Sequence, residues 1–165
     1  MKTGKMNFLV DSSWGSSGKG AASTRLVDKY DVKNISSNNY PNAGHTAIVD
    51  GTKFIGKVLP TAAVLKKTRG KDLLSWVGPG TGFEVEQFFK ELEELELSVG
   101  EDVLLHERAI KVDPRHKQME APGGERSTER ISSTMSGSGA AYSSKAMRGE
   151  DVELARNLGY DTLKP

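Results

Sequence analysis

The sequence predicts an α/β fold with a mostly parallel central sheet and flanking helices, and three observations carry that expectation. Short apolar runs bounded by polar residues alternate with longer stretches of helical spacing. A glycine-rich crossing, Ser12 to Gly20, separates the first apolar run from the first helical stretch. The pair Asp50-Gly51 stands between two β-rich runs and marks a hairpin within the alternation. In folds of this class ligands gather at the carboxyl ends of the strands, so the glycine-rich crossing is expected there.

Taken in order, Asn7 to Asp11 reads as a short buried strand. Residues 12 to 20 hold too many glycines and serines for an extended helix, whereas Ala22, Leu26, Val27 and Tyr30 predict one running to about Lys29. Residues 34 to 45 read as loop. The hairpin pairs Thr46–Val49 with Thr52–Ile55. Leu73 to Val77 is expected as a strand ended by Gly78-Pro79-Gly80. From Glu84 to Val99, the positions Val85, Phe88, Phe89, Leu92 and Leu95 predict a helix capped by Gly100. The acidic run Glu91, Glu93, Glu94 and Glu96 is expected on its solvated face. Val103 to Val112 reads as strand and turn. Residues 113 to 139 are rich in Pro, Gly, Ser and Thr and predict a loop, mobile or substrate-organising. Lys145 and Arg148 follow three residues apart, which on a helix sets them on one face.

Composition narrows the function classes. The 165 residues suit one domain. With 23 basic and 22 acidic residues the net charge is +1, so no field draws a polyanion and no nucleic-acid partner is expected. The apolar run Phe8-Leu9-Val10 is too short for a signal peptide or membrane span, so a cytoplasmic location and no membrane partner are expected. The chain has no cysteine, which excludes disulfides and thiolate metal sites.

Three segments carry chemistry. In Trp14-Gly-Ser-Ser-Gly-Lys-Gly20 the glycines let backbone amides approach a phosphate, a helix follows, and Lys19 adds a full charge. It is not a Walker A loop, because Ser13 and Gly20 break that pattern, and a tight structural turn is the competing reading. In Pro41-Asn-Ala-Gly-His-Thr46 an imidazole among small residues is open to a ligand and suited to acid–base work near neutrality; a loop histidine without a role competes. Ser133 to Tyr142, followed by Lys145 and Arg148, offers hydroxyls, glycines and two cations for a second anion, against a Ser/Gly linker leading to an ordinary basic helix. His106 and His116 have no comparable setting.

Together and in this order, these segments resemble the adenylosuccinate synthetase family. Its motifs W-G-D-E-G-K-G, N-A-G-H-T, G-N-G and T-T-G-R-G-I-G-P-A-Y-x-x-K-x-x-R stand here as W-G-S-S-G-K-G, N-A-G-H-T, G-P-G and S-T-M-S-G-S-G-A-A-Y-S-S-K-A-M-R. The resemblance spans residues 7 to 148 and implies a P-loop-related fold. It also implies a ligase that phosphorylates a purine nucleotide on its six-position oxygen and then replaces that phosphate with aspartate. Gly15, Ser16, Ser17, Gly18, Lys19, Gly20 and Ala21 would cradle the triphosphate, with Gly44, His45 and Thr46 beside it. Ser16 and Gly44 would hold Mg2+. Ser16, Asn42, Ala43, Thr134 and Arg148 would contact the substrate nucleotide, Arg148 that of a neighbouring subunit in a homodimer. Ser16, His45 and Lys145 would form the catalytic set.

Two departures qualify the resemblance. The family's catalytic base is the aspartate of W-G-D-E, and Ser16 stands in its place, a poor base at neutral pH. Phage homologues that join aspartate to dGMP carry a similar G-S-x-G-K-G loop, and a small hydroxyl leaves room for the exocyclic amine of guanine. Their likeness implies dGMP and L-aspartate as substrates, ATP or dATP as phosphate donor, and a host-cytoplasmic setting. A cellular-type enzyme would use IMP and GTP, and a catalytically inactive nucleotide-binding relative is the third possibility. The second departure is length: family members run much further past Arg148, so residues 1–165 are expected to form a single nucleotide-binding domain, the N-terminal portion of a longer synthetase.

Overall fold

In a computed structural model, which describes residues 4–12, 15, 17–125, 134–150, 152–159 and 162–163, helices and strands alternate as expected. Helix α1 (Lys19–Lys29) leads to β1 (Asn34–Ser37) and to a hairpin of β2 (His45–Val49) and β3 (Thr52–Gly56). A 3-10 turn, Thr61–Ala63, runs into α2 (Val64–Arg69), then β4 (Leu74–Val77), β5 (Gly82–Phe83) and α3 (Val85–Leu95). After these come β6 (Val103–His106), β7 (Ile110–Lys111), α4 (Pro114–Glu120), α5 (Ser138–Met147), a second 3-10 turn (Ala155–Leu158) and β8 (Thr162–Leu163).

The central sheet is parallel throughout, in the order β1-β4-β6-β8. Ser37 lies opposite Val77, and Val77 opposite Leu105, so three strands end at one level. Their carboxyl ends release the loop from Asn38, the Gly78–Gly80 turn and the Glu107–Arg108 turn on the same side. The apolar layer beneath includes Val77, Val103 and Leu105 with Phe83, Phe88 and Leu95, all buried. Phe88, Leu92 and Leu95 recur at helical spacing and turn one face of α3 into that layer. The hairpin joins it through Ala47, Val49 and Phe54, and its Asp50-Gly51 turn has positive φ at both residues (48° and 82°), the twist-matched form for a two-residue connection.

Several expectations are corrected. Asn7 to Asp11 forms no strand: it has no ladder partner, and Met6, Phe8 and Val10 are each about four-fifths exposed. Residues 34–37 are a strand rather than loop, because pairing with β4 supplies what Asn-Ile-Ser-Ser lacks in propensity. Helix α3 ends at Leu95, not at Gly100; Glu96 takes the left-handed conformation (φ 57°) and the Leu97 N–H reaches the Leu92 carbonyl at 2.9 Å. Part of the polar stretch is the ordered helix α4, begun by Asp113, whose side chain accepts the Arg115 N–H at 3.0 Å. Residues 126–133 of that stretch lie outside the described residues.

Glu91 is the most consequential correction. Expected in solvent, it is 1% exposed. Its carboxylate accepts backbone N–H groups of Lys57 (2.9 Å), Val58 (3.1 Å) and Leu59 (2.8 Å), and the Gln87 amide at 2.9 Å. One acceptor from α3 thus satisfies three consecutive amides of the β3–Thr61 connection, which no strand or helix would pair. Burial pushes the carboxyl upward, against the pull of those N–H donors and Gln87. Glu91→Gln turns one acceptor into a donor facing N–H groups and is expected to destabilise the fold by about 1–3 kcal/mol in urea unfolding. An unchanged midpoint would show that water replaces the carboxylate at no cost.

Candidate functional site

The glycine-rich crossing enters α1 at Gly18, whose left-handed φ of 74° forms the N-cap without any side-chain cap. Gly18 offers no side chain to the first N–H groups of α1, and the helix dipole favours an anion beside them. At the second residue of α1, Gly20 touches the start of β2. A Cβ there would lie 3.0 Å from His45 Cβ, 3.1 Å from the Thr46 carbonyl oxygen and 3.1 Å from Thr61 Cγ2. The Gly20 carbonyl accepts the hydroxyls of Ser23, Thr24 and Thr61, each at 2.9 Å. Absence of a side chain at one position brings the loop lysine and the loop histidine together.

Lys19 lies close enough to act electrostatically on His45, whose imidazole is held below its ordinary value by burial and then by that ammonium. A neutral ring at pH 7 carries one N–H donor and one acceptor nitrogen. On its other side Lys19 Nζ contacts Asp11 Oδ2 at 2.5 Å, and the same oxygen accepts the Ser17 hydroxyl. Asp11 did not stand out among the motif residues. The signal was nonetheless present, since Asp11 is the sole acidic residue before Asp28.

The second and third segments meet over the strand ends. Asn38 Oδ1 accepts the Gly80 N–H at 3.1 Å, and a Cβ at Gly78 would fall 2.3 Å from that oxygen, so the Gly-Pro-Gly turn closes directly on the loop leaving β1. Further along, the Asn42 N–H donates to Ser138 Oγ at 3.3 Å. Hydroxyls of Thr134, Ser136 and Ser138 form a chain with successive spacings of 2.9 Å. Glu120, buried at the end of α4, accepts the Gly137 N–H at 2.9 Å and the Ala140 N–H at 3.0 Å and so fixes the start of α5. Lys145 Nζ donates to the Arg108 carbonyl at 2.6 Å and to the Pro79 carbonyl, tying α5 to two strand ends. Burial, then the neighbouring Arg108, holds that lysine below its ordinary value.

The predicted residues therefore gather in part. Gly20 lies against His45 and Thr46, Lys19 acts on His45 and shares Asp11 with Ser17, and the Asn42 N–H reaches Ser138, at the end of the hydroxyl chain that begins at Thr134. Arg148 departs from expectation: it has left the helix with a left-handed φ of 56° and stands exposed, not on a helical face shared with Lys145. Ser16 lies outside the described residues. Thr61 and Glu120 hold the site's elements in place without carrying a motif. Among the described residues no three His, Asp or Glu side chains converge on a metal position. Magnesium beside a polyphosphate needs no such cage, because phosphate and water oxygens fill most of its shell. Of the two residues the sequence assigns to it, the Gly44 carbonyl is a hard oxygen donor of the kind Mg2+ takes, and Ser16 lies outside the described residues.

A glycine-rich loop entering a helix beside the carboxyl ends of a parallel sheet is the layout of phosphate-binding α/β proteins. Residues 8–160 match the adenylosuccinate synthetase family, and the chain belongs to that family. It is 34% identical over 154 residues to the adenylosuccinate synthetase of Zygosaccharomyces rouxii, covering 87% of this chain and 34% of that protein. Identity to the Saccharomyces cerevisiae synthetase is also 34%, with the same coverage. The chain thus spans about a third of the length of these relatives. Among solved structures, the cyanophage S-2L succinoaminodeoxyadenylate synthetase bound to dGMP and dATP superposes with a TM-score of 0.71 at 27% identity, over 90% of this chain and 40% of that one. The Plasmodium falciparum adenylosuccinate synthetase shares the fold with a TM-score of 0.67 at 24% identity, over 82% of this chain and 31% of that one.

Gly20→Ala tests the close approach. The added methyl has backbone on one side and must push β2 from α1, so the variant is expected to bind tripolyphosphate at least about tenfold more weakly and to unfold earlier, at a cost on the order of 1–3 kcal/mol. Unaltered affinity by calorimetry would show that the loop and His45 do not act together.

Proposed function

We propose that the chain forms the phosphate-loop portion of a ligase that joins L-aspartate to the six position of dGMP, yielding 2-amino-2'-deoxy-N6-succinyladenylate. The observation that supports the reading is that the three motif segments touch in sequence, Gly20 against His45 and Thr46 and Asn42 against Ser138, in a fold like that of the dGMP- and dATP-bound cyanophage enzyme. The serine pair in W-G-S-S, where the family has W-G-D-E, favours a changed purine.

In this reading Gly15, Ser16, Ser17, Gly18, Lys19, Gly20 and Ala21 hold the triphosphate of ATP or dATP, with Thr46 beside it. Gly44 and Ser16 would hold Mg2+, which when bound would offset phosphate charge. His45, kept neutral, donates its N–H to the phosphoryl oxygen as charge builds there. The six-position oxygen of the purine bonds to the terminal phosphorus as the bond to the leaving diphosphate breaks. Aspartate's amine then bonds to carbon six, and the phosphate departs with that oxygen. Asn42, Ala43, Thr134 and the hydroxyl chain orient the nucleotide, and Lys145 faces the reacting groups from its carbonyl anchors. Arg148, exposed past α5, reaches the substrate of a second subunit in a homodimer. The setting is cytoplasmic.

A second reading, an IMP- and GTP-using synthetase, is favoured by the 34% identity to the yeast enzymes. The chain is assayed by mass spectrometry with dGMP or IMP, aspartate, Mg2+ and each triphosphate. Succinylated product from dGMP supports the first reading and product from IMP alone the second. Nucleotide binding without product identifies a binding module that needs the remainder of the fold its relatives carry. Wherever turnover is seen, His45→Ala is expected to lower kcat by about 10²–10⁴; normal turnover would remove His45 from the catalytic set.

A further inference from the structure

Between α1 and β2 lies a cavity of about 400 Å³ that has no part in the chemistry described so far. Its size falls within the range of about 300–1,000 Å³ usual for small-molecule sites. It starts at Ala21 and Thr46, which the reading above places at the triphosphate, and follows β2 to Asp50 and Arg69. Strand β2 pairs with β3 alone, so its other edge is free and forms one wall. Val49 and Thr52 flank the two-residue turn as a hydrogen-bonded pair; the alternation then points the N–H and C=O of Thr46 and Ile48 away from β3. Among the described residues nothing pairs with the Ile48 backbone on that edge. Arg25, on the α1 wall, is exposed and has no ion-pair or hydrogen-bond partner among the described residues. Arg69, at the far end, is already held by Asp50, through two nitrogens at 2.7 Å each, and by Asp28.

Resting on the reading above, we propose that this groove seats the nucleoside of the phosphate donor, its purine edge on the Ile48 backbone and its ring face against Arg25. A residue on a free strand edge presents one donor and one acceptor side by side. Adenine presents the complement, its six-amino group beside a ring nitrogen. A guanidinium stacks on an aromatic face, and Arg25 is committed to no carboxylate among the described residues. Ile48 stands two residues along the strand from Thr46, roughly 7 Å, about the reach of the ribose that separates an α-phosphate from its base. The far end of the groove does not suit a second phosphate, because Asp28 and Asp50 already occupy the Arg69 guanidinium and would repel one. A neutral, flat group fits there. A free strand edge also accepts a peptide strand; the continuity with Ala21 and Thr46 selects a nucleoside instead.

The test compares dissociation constants of ATP and tripolyphosphate, with Mg2+, for the full chain, Arg25→Ala and Ile48→Pro by calorimetry. Ile48→Pro removes the outward N–H and no ladder bond, a change that an edge strand tolerates. The wild type is expected to bind ATP about tenfold more tightly than tripolyphosphate, the scale of one stacked base. Each variant is expected to bring that ratio close to one without weakening tripolyphosphate. A preference for ATP that persists in both variants puts the nucleoside elsewhere and overturns the proposal. A wild type that binds ATP no better than tripolyphosphate overturns it as well, and the phosphate-loop reading survives either result. Equal losses for both ligands in both variants mark a general charge or packing effect and also overturn it. A chain that binds neither ligand overturns the phosphate-loop reading together with the proposal.

Discussion

Everything in the site depends on how closely α1 approaches the start of β2. Gly20 lets the helix backbone sit against His45 and Thr46, and three hydroxyls close on its carbonyl from α1 and from Thr61. That contact turns two loops far apart in sequence into one surface. Lys19 then acts on the imidazole through its charge and pairs with Asp11 through its ammonium. Thr61 itself is held by the connection that Glu91 organises from α3. The order of dependence runs from a buried carboxylate through a turn to the glycine-rich loop.

The opposite wall is built by different means. Glu120 fixes the beginning of α5, and Lys145 ties its end to the carbonyls that close two strands. The hydroxyl chain Thr134–Ser136–Ser138 therefore leads into a helix anchored at both ends, with the Asn42 amide joining it at Ser138 to the first wall. A site assembled from loops gains its rigidity from the elements beneath them.

Much of this was legible in the sequence where the pattern is local. The Asp50-Gly51 hairpin, the α1 and α3 helices and the strand ending in Gly78-Pro79-Gly80 follow from periodicity and turn chemistry. Each motif segment taken alone had a structural alternative, a tight turn, a loop histidine or a Ser/Gly linker, and stood out only through its order and spacing with the others. What escaped depends on distant partners. Asn34–Ser37 is a strand only because β4 lies beside it, and Asn7–Asp11 is none because no ladder receives it. Glu91 reads as one more acid on a polar face, and only the three amides presented from residues 57–59 explain its burial. Asp11 was concealed in a segment read for its apolar residues.

That same segment bears on how the chain responds to heat and denaturant. Met6, Phe8 and Val10 are hydrated before unfolding begins, so their apolar area adds nothing to the change on unfolding. Both the heat-capacity increment and the denaturant slope scale with newly exposed surface. The stability curve of this chain should accordingly be flatter, and its urea transition broader, than a length of 165 residues alone would suggest.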